Sequence, residues 1–160
     1  MAEVRIELRS ITEADLSVLY EIYASTRAEE MALVPEWSEA HKAAFLLQQF
    51  NAQHQYYQEH YQGAVFQLIQ YDGKPIGRFY IHWNFAPNEI RIMDIALLPA
   101  FRGKGIGTGI LQEIFKKASE KKQSVTIHVE YNNPALRLYQ RLGFQKIGEF
   151  NSVYYLMEWK

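Results

Sequence analysis

The chain has 160 residues, 48% of them apolar, which is enough for one well-buried core and too few for two ordinary domains. Its formal net charge is -1, with acids and bases interspersed, so nothing draws it globally to nucleic acid or to an anionic membrane, and any anion must be held locally. The absence of cysteine excludes disulfides, thiolate metal sites and a cysteine nucleophile, and the five histidines show no metal-ligand spacing.

The opening "MAEVRIELRS" carries charges every second or third residue and lacks the apolar centre of a signal peptide. No apolar run approaches the roughly 20 residues of a membrane helix, so a cytoplasmic protein is expected. In "VRIELRSIT", Val4, Ile6 and Leu8 alternate with charged residues at the period of a half-buried strand, and Thr12 offers a cap for a helix through "EADLSVLYEIYAST". Residues 38–61 hold no glycine or proline, and Ala43, Leu47, Phe50, His54, Tyr57 and Tyr61 recur at helical spacing. This predicts one helical face, or two helices with a break near Asn51.

From Ala64 the period changes to that of strands. "AVFQLIQY" and "IGRFYIHWNF" read as a hairpin closed by Asp72-Gly73, "APNE" makes a second turn, and "IRIMDIALL" follows as a third strand. A glycine segment leads into a helix whose Ile106, Ile110, Leu111, Ile114 and Phe115 share one face. "SVTIHVEY" is then a strand, "NPALRLYQRL" a short helix, and "GFQKIGEFNSVYYLMEW" a closing strand pair. The expected order is β-α-α-β-β-β-α-β-α-β-β: a mixed α/β class with about seven strands and about four helices on the sheet's faces.

The segment "LLPAFRGKGIGTGILQEIF" carries chemistry. Unpaired N–H groups and a partial positive charge at a helix N-terminus favour phosphate oxygens. Glycines allow the backbone close to them and turn successive N–H groups inward. Arg102 and Lys104 add charge at the rim. The dinucleotide fingerprint GxGxxG fails in both registers, because its third glycine falls on Thr108 or Ile110. A Walker A loop fails too, with Leu98 and Gly105 where glycine and a hydroxyl residue are required.

The segment does satisfy R-x-x-G-x-G, as Arg102, Gly105 and Gly107 after the strand "DIALLP", and here the chain resembles the GNAT superfamily, the Gcn5-related N-acetyltransferases. A second stretch, "NNPALRLYQRLGF", matches the same family's N-x-x-A-x-x-L-Y-x-x-x-G-F pattern through Asn132, Ala135, Leu138, Tyr139, Gly143 and Phe144. The resemblance is good over residues 64–159. Before that it extends only to the strand-helix-helix outline.

The resemblance implies a single N-acetyltransferase domain over 1–160, with a mostly antiparallel twisted sheet. It implies acetyl-coenzyme A as cosubstrate and no metal. The pyrophosphate would be held by the loop of Arg102, Gly103, Lys104, Gly105, Ile106, Gly107 and Thr108. Main-chain groups of Ile95, Ala96 and Leu97 would meet the pantetheine arm, as an added strand would, and one N–H would polarise the thioester carbonyl. Tyr139 would be the general acid: a phenol of pKa about 10 stays protonated at pH 7 and can protonate a departing thiolate. Counting back from Tyr139 selects Asn132 as a further cofactor contact, whereas counting forward from Val129 selects Asn133. Asn132 is favoured, and either asparagine could instead cap the helix before Pro134.

An aliphatic amine of pKa about 10.4 must lose a proton before it attacks. Asp94 and Glu130 are the candidate bases, with Glu89 and His128 as further options. Trp37, Phe45, Phe50, Tyr56, Tyr57 and Tyr61 form an aromatic segment that either lines an acceptor site or is core. The expected activity is direct acetyl transfer to a primary amine, on a small molecule rather than a protein N-terminus or lysine, by a monomer or homodimer with no nucleic-acid or membrane partner. A non-catalytic acyl-coenzyme A sensor is the alternative, and an unrelated phosphate binder is disfavoured by the failed registers.

Overall fold

The computed structural model describes residues 6–160; Val4, assigned above to the first strand, lies outside them. Strand β1 (Ile6–Ser10) is followed by helices α1 (Leu16–Thr26), α2 (Ala28–Ala32) and α3 (Glu39–His60). Next come β2 (Val65–Tyr71), β3 (Lys74–Ala86), β4 (Glu89–Leu97), α4 (Ile106–Glu120) and β5 (Ser124–Glu130). The chain ends with α5 (Leu136–Arg141), β6 (Gln145–Phe150) and β7 (Tyr154–Trp159). The sheet has seven strands in the order β1-β2-β3-β4-β5-β7-β6. The pairs β1–β2, β5–β7 and β6–β7 are antiparallel, and β4–β5, joined through α4, is parallel.

The architecture is the mixed, mostly antiparallel one expected, with two differences among the helices. Residues 39–60 form one helix, with no break at Asn51. A fifth helix, α2, is only five residues long and buries none of them, so it leaves no apolar periodicity to find in the sequence.

The chain divides into two compact units. One runs to Phe79 and includes Ile95–Gly107; the other holds Tyr80–Asp94 and Thr108–Lys160. The first has its core at Leu19, Ile22 and Tyr23 of α1, Leu46 and Phe50 of α3, and Leu68 of β2. Each such side chain contributes roughly 1.5–3 kcal/mol of burial. The buried stripe of α3 is not wholly the one expected: Leu47 is 48% exposed and Ala43 is exposed, while Leu46 is 8% exposed. Phe45, Leu46 and Leu47 are adjacent apolar residues, and packing of Phe50 between Tyr20 and Tyr23, each at 5.9 Å, selects the face of Leu46.

At the entry to α1 the Thr12 amide donates to Asp15 Oδ2 at 2.7 Å. Arg9 grips the same carboxylate with both terminal nitrogens, at 3.0 and 2.9 Å. That pair, and then the Thr12 amide, hold the Asp15 pKa down to about 2 despite the opposing effect of burial.

The second unit has its core between α4 and the sheet. Ile110, Leu111, Ile114, Phe115 and Ala118 are buried on one side of α4, and Ile90, Ile92, Val125, Ile127, Val129 and Met157 are buried on the strands. Phe115 stacks on Trp159 at 4.3 Å and tilts against Phe144 at 5.6 Å. Helix α5 is closed by Gly143 at φ +108, with Phe144 N–H donating back to the Tyr139 carbonyl at 3.0 Å. Gly143 and Phe144 of the second motif are therefore a helix terminator and a core residue.

Candidate active site

The first unit carries the end of β4 and the loop into α4. Leu98 N–H donates to the Ile76 carbonyl at 2.7 Å, and a turn over Pro99–Phe101 reverses the chain. Gly103 and Gly105 then take φ of +73 and +81, which is the left-handed region the glycines were expected to supply. A Cβ on either would meet no protein atom within 4 Å. Gly107 is helical and likewise faces open space. Lys104 is exposed, while Ile106 and Thr108 are half-buried in the first turn of α4.

Arg102 does something the sequence did not announce. Its Nε donates to the Leu97 carbonyl at 2.8 Å and its Nη2 to Ser25 Oγ at 3.2 Å, in the last turn of α1. The guanidinium ties the loop to the end of β4 and to a helix. Gly77 was also missed. A Cβ there would collide with the Ala96 carbonyl and come within 2.9 Å of Leu97 Cδ2. Only glycine lets β3 pass this close to the Ile95–Leu97 segment, and a single glycine inside "PIGRFY" gives no motif from which to infer that.

The second unit carries Asp94, Glu130, Asn132, Asn133 and Tyr139. The β4–β5 ladder runs from Glu89↔Ser124 to Ile92↔Ile127, so Met93 and Asp94 fall beyond its last rung, while β5 goes on pairing with β7 to Glu130↔Tyr154. Strand alternation places Asp94 on the face of Ile90 and Ile92, and Glu130 on the opposite face with Thr126 and His128. The two candidate bases therefore do not share a face.

Tyr139 is 5% exposed and meets Phe144 edge-on at 5.7 Å. Burial, and then the negative charge of Asp94, raise its phenol pKa well above the ordinary value. The hydroxyl stays protonated throughout the working range of pH and is a weaker acid than a free phenol. Asn133 Oδ1 accepts from the Ala135 N–H at 2.8 Å, an Asx turn ahead of α5, and both Asn132 and Asn133 are exposed.

The further base options separate as well. Glu89 accepts from Thr126 Oγ1 at 2.7 Å and from Arg91 at 3.2 Å, in a polar network near the start of β4. His128 stacks on Phe150 at 5.5 Å, and burial, then the Arg91 charge, lower its pKa, so its imidazole is neutral near pH 7. Among the described residues no group of three or more His, Asp or Glu could hold a metal ion, and no helix is long and apolar enough to cross a membrane.

A family model described as "Acetyltransferase (GNAT) family" matches residues 19–144. An N-alpha-acetyltransferase of Sulfurisphaera tokodaii is 31% identical over 97 residues, which are 52% of this chain and 58% of that protein. A thialysine N-epsilon-acetyltransferase of Mus musculus is 30% identical over 73 residues, 44% of this chain and 43% of that one. The chain thus spans about half the length of these curated relatives. Among solved structures, the PaiA N-acetyltransferase of Thermoplasma acidophilum in complex with coenzyme A is similar over 98% of this chain and 99% of its own, with a TM-score of 0.71 at 21% identity. At that identity the likeness is one of fold.

Proposed function

The chain belongs to the acetyltransferase (GNAT) family, and from that premise we propose that it transfers an acetyl group from acetyl-coenzyme A directly to a primary amine. The observation that carries this reading is the loop. Two left-handed glycines precede α4, with no protein atom where their side chains would stand, which suits a pyrophosphate on backbone N–H groups. Acetyl-coenzyme A supplies a thioester whose carbonyl carbon the amine attacks.

The chain's own residues do the rest. Arg102 and Gly77 fix the strand end at Ile95–Leu97, whose main chain aligns the pantetheine arm. Tyr139 gives its proton to the sulfur as the carbon–sulfur bond breaks. Asp94, on the side of the sheet whose charge Tyr139 feels, and Glu130, on the opposite face and reaching the amine through water, are the candidate groups to take the amine's proton. Asn132, rather than Asn133, whose Oδ1 already accepts from the Ala135 N–H, is the side-chain contact to the donor.

The acceptor is a primary amine on a small molecule or a peptide. Relatives called N-alpha-acetyltransferases favour an α-amine. Calorimetry with acetyl-coenzyme A, ATP and NAD tests the donor, and thiol release over a panel of amines and peptide N-termini tests the transfer. Gly105→Val should abolish donor binding, because its side chain would stand in the anion's space and strain a backbone held at φ +81, and a melting curve separates that loss from a loss of fold. Absence of acetyl-coenzyme A binding at saturating concentration would end the reading, while binding without thiol release from any amine would favour the sensor.

A further inference from the structure

We propose that His54 on α3 takes the first proton from the acceptor's ammonium group and so makes the acceptor a nucleophile at the end of β4. This rests on the acetyl-transfer reading above. His54 lies on the unit that also carries Ile95–Leu97, where that reading puts the thioester, whereas Asp94 and Glu130 belong to the other unit.

Contacts within the first unit bring the imidazole there. Its ring stacks at 5.8 Å on Phe50, one turn earlier on α3, and Phe50 belongs to the buried cluster against which Ala96 and Leu98 pack. The preceding residue, Gln53, accepts from Arg78 Nη2 at 2.8 Å. Arg78 in turn follows Gly77, the point at which β3 comes against the Ala96 carbonyl. The turn of α3 that holds His54 is therefore fastened to β3 at the residue next to that crossing.

The imidazole is half-buried, and neither of its nitrogens makes a hydrogen bond among the described residues, whereas His60 on the same helix meets the Tyr56 carbonyl at 3.1 Å. Burial, and then the positive charge of Arg78 on β3, lower its pKa below the ordinary value. The ring is thus neutral at pH 7 and offers a lone pair. Its neighbours one turn away on α3, Phe50, Asn51, Tyr57 and Gln58, supply no carboxylate to hold a proton on it, and α1 sends Tyr20 and Tyr23 to Phe50. The Arg78 charge that keeps the ring neutral also expels a proton once the ring has taken it.

An aliphatic amine is an ammonium at pH 7, and its nitrogen loses two protons on the way to an amide. His54 accepts the first and releases it to water, and the freed lone pair attacks the carbonyl carbon. The second leaves for a candidate carboxylate as the carbon–sulfur bond breaks, and it balances the proton that the sulfur takes.

Thiol release from acetyl-coenzyme A by the full chain, with benzylamine and with a peptide of free N-terminal alanine, tests this between about pH 5 and 9. The rate of the unaltered protein should be level near neutrality and fall below about pH 6, as the imidazole is protonated. H54Q should be about a hundred-fold slower at pH 7, the lower end of the range for a positioned base. Its rate should instead climb about ten-fold per pH unit towards the pKa of the amine, because only amine that is already neutral can then react. Its affinity for coenzyme A by calorimetry should be unchanged. A melting curve shows whether H54Q folds, and H54N carries the same comparison if it does not. Thiol release whose rate and acid limb survive H54Q would overturn this assignment alone. No thiol release by the unaltered protein, with these or any amine of the panel, would overturn the transfer reading and this inference with it.

Discussion

Tyr139→Phe removes one oxygen from a ring that is 5% exposed and packed against Phe144 at 5.7 Å. The shape of the core is kept, so the variant should fold with a loss below about 1 kcal/mol at pH 7. Turnover with saturating donor should fall about a hundred-fold, the lower end of the range for a positioned general acid. That is about 2.7 kcal/mol of barrier. Coenzyme A affinity should hardly move.

The same substitution has a second signature in stability. Burial, then the Asp94 charge, raise the phenol pKa above its ordinary value of about 10, so the folded state resists ionisation where the unfolded chain does not. A raised folded pKa gives stability that is complete below pH 10 and lost above it, at about 1.4 kcal/mol per pH unit until the folded pKa is reached. Phenylalanine has no such dependence. Urea unfolding at pH 9, 10 and 11 should therefore show the difference between the two proteins closing, then reversing in favour of the variant. An unchanged rate of thiol release would remove Tyr139 from the chemistry, and parallel pH curves would show that its hydroxyl ionises as freely in the fold as out of it.

Gly77→Ala should cost about 3 kcal/mol, because the added carbon meets a backbone carbonyl that cannot turn aside and the strands must part. At roughly 2–4 °C per kcal/mol for a chain of this size, differential scanning should place the melting point about 6–12 °C lower; a shift under 2 °C would contradict the close approach. Asp15→Asn should cost about 1 kcal/mol at pH 7, after allowance for the 39% exposure of the Arg9 side chain. A carboxyl lowered from 3.8 to about 2 contributes stability above pH 4 and loses it as the pH falls toward 2. The difference from the unaltered protein in urea should therefore vanish near pH 2, and a gap that persists there would show that the pair with Arg9 is not its source.

Long, strongly periodic elements were legible in the sequence for physical reasons. The face of α4 is set by Ile110, Leu111, Ile114 and Phe115, which lie four, three and one residue apart and are all buried. The turn at Asp72-Gly73 and the succession of all seven strands along the chain follow from period and turn chemistry. What escaped was decided by tertiary contact. Nothing local distinguishes Leu46 from Leu47; Tyr20 and Tyr23, more than twenty residues earlier, make the choice. Helix α2 buries nothing, so no periodicity marks it.

The candidate site divides in the same way. Gly103 and Gly105 were readable because a left-handed backbone narrows the choice of residue almost to one. Arg102 was readable only as a charge, and its bonds to the Leu97 carbonyl and Ser25 turn it into a fastening for the strand end. The two candidate bases looked equivalent in sequence, each a carboxylate near the end of a strand. Strand alternation separates them, because Asp94 is four residues from Ile90 and Glu130 is five from Val125, with Ile90 and Val125 paired on one face. One carboxylate acts on Tyr139 and the other faces away from that side of the sheet. The attacking nitrogen and the leaving sulfur are bonded to one carbon, so Glu130, as the proposed base, would have to draw the amine's proton through water past the end of the β4–β5 ladder at Ile92↔Ile127. Glu130→Gln should therefore lower the rate without altering the pH at which Tyr139 ionises, whereas Asp94→Asn should lower that pH. If Asp94→Asn left the alkaline limb of the stability curve where it was, the two carboxylates would have to be treated as interchangeable again.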